Sequence, residues 1–234
     1  ARVMFAIFHE QGHNIAFGGR MMGDGQHKYH NTAETSVFHK KRNLYGFNWA
    51  KEFIVAQDTA IVVEGYTDCI ACWEAGIKNV VATLGTALTE HHVKTLTRFA
   101  KRIVYMFDGD AAGQKAALHA FGLDSAFLSQ TFVAVADDNL DPCDLRIERG
   151  NEAVRSLIAR AKPLYDFVID AAISRFDLTY TPGQVGAMKA VAPLVAQIRD
   201  RSLWDAARVE RHYYAGRPRQ GARGCADAHL SATR

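Results

Sequence analysis

The sequence predicts an α/β protein: a parallel sheet with helices on both faces, preceded by a small α+β segment and followed by a helical one. Three observations carry this. Short β-branched runs alternate with helical patterns through the middle of the chain. The runs are apolar throughout, as strands covered on both faces must be. Helix-length segments separate them, as crossovers between parallel strands require.

Residues 3–8 and 13–19 are apolar runs around Glu10-Gln11-Gly12 and read as a hairpin. From Arg20 to about Arg42 the chain is polar, loop-rich and mildly basic. Ile61-Val62-Val63 is the first buried strand and ends at Glu64-Gly65; a helix carrying Ile70, Cys72 and Trp73 follows and stops at Gly76. The second strand, Val80 to Leu84, ends at Gly85, and a helix from Thr89 presents Val93, Leu96 and Phe99. The third, Ile103 to Phe107, ends at Asp108, with a helix from Ala111 to about Phe121 behind it. The fourth, Phe132 to Ala136, ends before Asp137. From Glu152 onward no strand is expected. Residues 162–176 and 182–199 read as helices, Pro182 standing near a first helical position. After about Leu203 the apolar period is lost, and disorder is expected.

Of the 234 residues 48% are hydrophobic and 23% charged, which excludes collagenous and low-complexity chains. No apolar run approaches the ~18 residues of a membrane span, and the start lacks a signal-peptide pattern. A cytoplasmic chain without a membrane partner is expected. The net charge is +3, and residues 203–234 supply all of it, with six arginines against three acids. Global charge is therefore no argument for nucleic acid; only local segregation could be one. Four cysteines are too few for a disulfide framework. Cys69 and Cys72 lie within a helical pattern rather than at its start, where a redox pair belongs, and read as small core residues. Cys143 and Cys225 stand alone, so no zinc site is expected.

Ligands of open α/β sheets bind at the carboxyl ends of strands. Here those ends carry Glu64 with Asp68, then Asp108-Gly-Asp110, then Asp137, Asp138, Asp141 and Asp144. Such carboxylates repel one another unless a hard cation neutralises them, and Mg2+ or Mn2+ suits carboxylates plus substrate phosphates. Asp68 and Asp144 are either ligands or helix caps. Upstream, Arg20, Lys28, Lys40, Lys41 and Arg42 are either phosphate contacts or a solvated face, with Tyr29 among them able to stack a base or sugar.

Arg2-Val-Met-Phe, Ala16-Phe-Gly-Gly-Arg20, Lys28-Tyr29 with Asn31, Leu44-Tyr-Gly46, Glu64-Gly-Tyr-Thr-Asp68, Ala82-Thr-Leu-Gly-Thr-Ala-Leu-Thr89 and Phe107-Asp-Gly-Asp-Ala-Ala-Gly113 occur in that order. Together they closely resemble the catalytic core of the bacterial replicative DNA primases of the DnaG type, over about residues 1–200. The region 61–145 is similar to their Toprim domain. The resemblance implies partial N-terminal primase core at 1–58, Toprim at 59–150, a helical subdomain at 151–202 and a basic tail at 203–234. It implies a DNA-directed RNA polymerase that makes short RNA primers on single-stranded DNA from ribonucleoside triphosphates, at the replication fork. Glu64, Asp108 and Asp110 match the metal-holding catalytic positions, and Asp68 and Asp141 match further acids. Arg2, Arg20, Lys28, Tyr29, Asn31 and Lys40 match positions for nucleotides and the RNA–DNA hybrid.

Departures accompany the match. Asp141-Pro-Cys143-Asp144 stands where the family has Asp-Pro-Asp, so Asp144 is counted with the metal group, and His30 replaces a usual leucine. No zinc-binding module is expected before the core, and no domain for binding the replicative helicase is expected after it. The chain thus reads as a truncated piece that binds metal with little or no primer synthesis. The alternatives are a fragment that only binds metal and nucleic acid, or another Toprim enzyme of nuclease or topoisomerase type. A haloacid-dehalogenase phosphatase fits poorly. Its Asp-x-Asp ends the first strand before Thr or Val, whereas this one ends the third and precedes Ala111.

Overall fold

The computed structural model describes residues 1–23, 29–108, 111–124, 130–136 and 140–197. Lys28, Asp110, Asp137, Asp138 and the 203–234 tail lie outside the described residues. Two compact units are present, one over residues 1–163 and one beginning at Leu164, of which residues 164–197 are described.

The first unit opens with a hairpin of β1 (Arg2–Phe8) and β2 (Asn14–Met21), as expected. The following stretch is less irregular than its polar sequence suggests. β3 (Tyr29–Asn31) adds a third antiparallel strand against Gly18, Gly19 and Arg20. A Cβ at Gly18 would collide with the Tyr66 ring at 2.6 Å, whereas one at Gly19 would only press on the exposed Met4 sulfur at 3.1 Å.

Helix α1 (Phe47–Gln57) leads into β4 (Thr59–Val63), and the alternation follows: α2 (Tyr66–Glu74), β5 (Val80–Ala82), α3 (Glu90–Leu96), β6 (Arg102–Phe107), α4 (Ala111–Asp124) and β7 (Gln130–Val135). After α5 (Pro142–Arg149) and α6 (Asn151–Ala159), a two-residue strand β8 (Lys162–Pro163) pairs antiparallel with β7. That corrects the expectation of helix alone after Glu152. The sheet order is β5-β4-β6-β7-β8, parallel except at β8. Right-handed crossovers place α2 on one face and α3 and α4 on the other. Accordingly α2 packs with α5 and α6, and α3 with α4.

Both sheets of this unit share one apolar core. Ile7, Ala16 and Phe38 join Ile61, Val63, Val80, Val104, Met106, Ala134 and Val154 in it. Cys69 and Cys72 are buried, 3% and 0% exposed, and burial drives both thiols upward, Cys69 to about 12. They are core residues, as the sequence suggested.

In the second unit α7 (Leu164–Ile173) and α8 (Thr181–Gln197) pack on each other. Among the described residues no helix is long and apolar enough to cross a membrane.

Candidate metal centre and nucleic-acid face

The chain runs from β4 to β5 on one side and returns to β6 on the other, so β4 and β6 flank the switch point where α/β sheets bind ligands. The parallel pairing of Val62 with Tyr105 brings the carboxyl ends of both strands to one edge. Glu64, just past β4, is exposed there, and Asp108 follows β6. The Thr83 hydroxyl donates to the Glu64 carbonyl at 3.2 Å and so fixes the backbone beneath that carboxylate. Glu64 also borders a cleft of about 470 Å³, with Thr83, Thr86, Tyr105, Lys115 and His119 around it. His119 is held by a 2.8 Å bond from its Nε2–H to the Leu88 carbonyl.

Asp68 occupies the first turn of α2, and the Gly65 amide donates to its Oδ2 at 3.0 Å. The cap reading is thus half right, since Asp68 serves the helix start from inside it. Asp68 is only 6% exposed, and the Cys143 amide in the first turn of α5 joins the Gly65 amide in holding its charge down. Burial first, then the charges of Asp141 and Asp108, push its carboxyl up to about 7. These three acids, distant in sequence, therefore act in one electrostatic neighbourhood. Asp141 is the N-cap of α5, its Oδ1 accepting from the Asp144 amide at 2.6 Å. Of the two acids here, the cap is Asp141, not Asp144. Asp141, Cys143 and Asp144 place one ligand atom each within 4.8 Å of one another. Cys143 does not stand alone, contrary to its isolation in the sequence.

The donor set fits a divalent cation. The charges of Asp108 and Asp141 bear on buried Asp68, and Asp141, Cys143 and Asp144 bring their ligand atoms together, so the acids here need a counter-charge that a divalent cation supplies.

The basic side approaches from the three-stranded sheet. Arg20 lies close enough to Cys143 for its charge to act on the thiol, and its guanidinium stands 5.6 Å from the Tyr29 ring centre. Tyr29 is 40% exposed, and its hydroxyl lies 3.5 Å from Thr67 Oγ1. Arg2 reaches the Gly19 carbonyl at 3.5 Å. Asn31 has a different task. Its amide donates to the Leu84 carbonyl at 2.9 Å and its oxygen accepts from the Tyr66 hydroxyl at 2.8 Å, tying the small sheet to the large one. Gly85, at φ +72°, leaves room for that amide, since a Cβ there would lie 3.3 Å from Asn31 Nδ2. The close approach at Gly85 is made by Asn31.

Lys40 sits on a loop anchored by buried His92, a residue the sequence reading passed over. His92 Nε2 donates to the Lys40 carbonyl at 3.2 Å, and its Nδ1 accepts the Thr89 amide at 3.3 Å. The Thr89 hydroxyl adds a 2.8 Å bond to the Lys41 carbonyl, and Glu34 accepts the Lys40 amide at 2.9 Å. Thr89 three residues before His92 is a capping-box spacing, with imidazole in place of the usual Glu; that was the available signal.

Three family models match the chain: the DNA primase catalytic core, N-terminal domain, at residues 1–51; the Toprim domain at 58–134; and the DnaB-helicase binding domain of primase at 165–210. The structure is similar to the RNA polymerase domain of Mycobacterium tuberculosis primase DnaG solved with a double-stranded DNA oligomer carrying a 6-nucleotide overhang. The two are 38% identical, with TM-score 0.79, covering 92% of this chain and 70% of that one. The chain belongs to the DnaG-type bacterial DNA primases. A primase domain from Pseudomonas aeruginosa is similar too, at 36% identity and TM-score 0.80, covering 97% of this chain and 72% of that one. The DNA primase of Streptomyces coelicolor is 41% identical over 206 residues, 85% of this chain and 32% of the relative. The chain thus spans about a third of the length of that curated primase. The match at 165–210 overturns the expectation that no helicase-binding region of primase is present. The periodicity of 162–176 and 182–199 reveals helices, but nothing in it distinguishes a docking hairpin from any other.

Proposed function

We propose that this edge joins ribonucleotides on a single-stranded DNA template. The 3′-hydroxyl of the growing RNA attacks the α-phosphate of the next ribonucleoside triphosphate, and pyrophosphate leaves. One observation carries the reading: in a chain of the primase family, Asp68, Asp108 and Asp141 act on one another at the switch-point edge that also carries Glu64, with Arg20 beside the same cluster. Glu64, Asp108 and Asp110 are the proposed holders of Mg2+ or Mn2+, with Asp68, Asp141 and Asp144 around them. A bound ion of this kind lowers the pKa of the attacking hydroxyl and neutralises the leaving group.

The chain's own residues position the reactants, which is most of what phosphoryl transfer needs. Arg20, Arg2, Lys28 and Lys40 attract the phosphates of the template, the hybrid and the nucleotide. Tyr29 offers an exposed ring to a base or sugar. Asn31 holds this basic sheet at a set distance from the acids through Leu84 and Tyr66.

Ribonucleotide incorporation on a long single-stranded template with Mn2+ tests the reading. The sequence reading expects little or no synthesis from this chain; because the basic sheet and the acid edge share one core, wild type is instead expected to extend primers, and Asp108→Ala to lose at least about 100-fold, the scale for removing a charge-stabilising group. A wild-type chain that binds Mn2+ and template but incorporates nothing would leave the binding-only alternative standing.

The match at 165–210 favours a further assignment. We propose that the α7–α8 hairpin docks on the replicative helicase. Tyr180, Val185 and Met188 are its exposed apolar side chains, at 52%, 42% and 39%.

A further inference from the structure

We propose that the cleft between α6 and the amino-terminal ends of β4 and β6 binds a small aromatic carboxylate, held by Arg102. Glu64 and Asp108 follow the carboxyl ends of the same two strands, so the cleft lies away from the proposed chemistry. The strands are five and six residues long. At ~3.3 Å per residue their two ends stand roughly 15–20 Å apart.

The cleft has a volume of about 330 Å³, at the small end of ligand sites. Ile61 and Val104 of the sheet, Ile77 after α2 and Ile158 of α6 give it apolar walls. Two arginines and no acid line it, and the two are not equivalent. Arg155 is already matched. Its Nε and Nη2 donate to Glu152 Oε2 at 2.9 and 2.7 Å, and its Nη1 donates to the Ala75 carbonyl at 2.8 Å. Arg102 pairs with no acid among the described residues. Asp58, whose carbonyl accepts the Arg102 amide, turns its carboxylate to Lys101 instead. The Arg102 guanidinium stands 4.2 Å from the centre of the Phe132 ring, and its Nε is shielded from solvent without an acceptor. A solvated surface arginine would give that N–H to water. Here neither water nor protein takes it, an arrangement that costs stability and that an incoming acceptor relieves. A guanidinium fork grips a carboxylate through two parallel hydrogen bonds. One unmatched positive charge suits a monoanion better than a phosphate dianion. The apolar walls suit a flat hydrocarbon body better than a sugar, whose hydroxyls they would leave unpaired.

The probe is 2-naphthoate, titrated calorimetrically into the full chain beside its neutral methyl ester and 2-naphthyl phosphate. A dissociation constant below about 1 mM is expected for the carboxylate. The ester and the phosphate should bind at least about ten-fold more weakly, the scale of one charge-assisted hydrogen bond. Arg102→Gln should lose a similar factor, and Ile158→Trp, which fills the cleft, should abolish binding. Saturating Mn2+ should leave the affinity unchanged, because the acids lie at the other end of the strands. No binding at about 1 mM, equal affinity for acid and ester, tighter binding of the phosphate, competition by Mn2+, or undiminished binding in a folded variant overturns the proposal. The comparison of acid with ester on wild type needs no variant, so it decides the matter even where a substitution unfolds the chain.

Discussion

At the scale of single residues, His92 shows how a group outside the chemistry can set its geometry. It is wholly buried, and both ring nitrogens are used, one donating to the Lys40 carbonyl and one accepting the Thr89 amide. A second ring proton would face the Thr89 N–H. Burial lowers its pKa from 6.5 to about 4. The neutral ring therefore contributes its full stability above pH 6.5. Below that the unfolded chain takes up a proton that the folded chain refuses, so stability falls as pH drops from 6.5 towards 4. The loss over that window is roughly 3 kcal/mol. Urea unfolding across this range should show it, and His92→Gln, which keeps a donor for Lys40, should flatten the slope. An equal slope in the variant would remove His92 from the account. The sequence shows His92 only as one histidine of ten; what makes it special is the loop folded over it from more than 50 positions away.

At the scale of elements, boundaries that carry a physical signal were legible and those without one were not. The helix after Thr89 begins at a side-chain cap, and α2 stops at Gly76, whose φ is +85°. Helix α1 has neither: its N-cap is Gly46, it has no acid in the first turn and no base in the last, and it ends on Asp58 at φ 46°. The start of α5 was present in full, with Asp141 as cap, Pro142 at its first positions and Arg146 and Arg149 in its last turn, but the cap was sought at Asp144 and Asp141 was read as a ligand. Within α4 two glycines give opposite predictions. Gly113 sits against the Asp108 carbonyl, where a Cβ would collide with backbone; Gly122 has nothing within 4 Å. Gly113→Ala should cost about 1–3 kcal/mol by overpacking and weaken metal binding by displacing Asp108. Gly122→Ala should stabilise by up to about 1 kcal/mol through helix propensity. Thermal unfolding of both variants, with a Mn2+ titration of the first, checks the pair.

At the scale of the whole molecule, the two compact units divide the proposed tasks. The proposed metal and nucleotide chemistry falls in residues 1–163, and the proposed helicase contact in the hairpin beyond them. Substitutions in one unit should therefore leave the other's readout alone. Tyr180→Ala with Met188→Glu is expected to weaken helicase binding by at least about ten-fold, one well-placed apolar contact being worth roughly 1.4 kcal/mol or more. Mn2+ affinity should not move. Calorimetric titration of each ligand on the same protein measures both, and a parallel loss of Mn2+ affinity would mean that the units are not independent. Within unit 1 the opposite holds. The hairpin residues Ile7 and Ala16 lie in the same core as the large sheet, so the basic face and the acid edge are held as one body.

Much of this was determined by the sequence alone. Four buried strands, the helices between them and the acids at their ends follow from apolar runs, from crossover lengths and from where α/β sheets bind ligands, all of which are local or topological properties. The motif order from Arg2 to Gly113 was enough to suggest the family. Tertiary structure decided what depends on through-space distance. It gave Asn31 a tethering role, since Leu84 and Tyr66 both reach it. It joined Cys143 to two carboxylates because α5 starts on a tight cap. It drew Asp68, Asp108 and Asp141 into one field, and desolvation and mutual repulsion between carboxylates depend on burial and separation in space, which no spacing along the chain encodes.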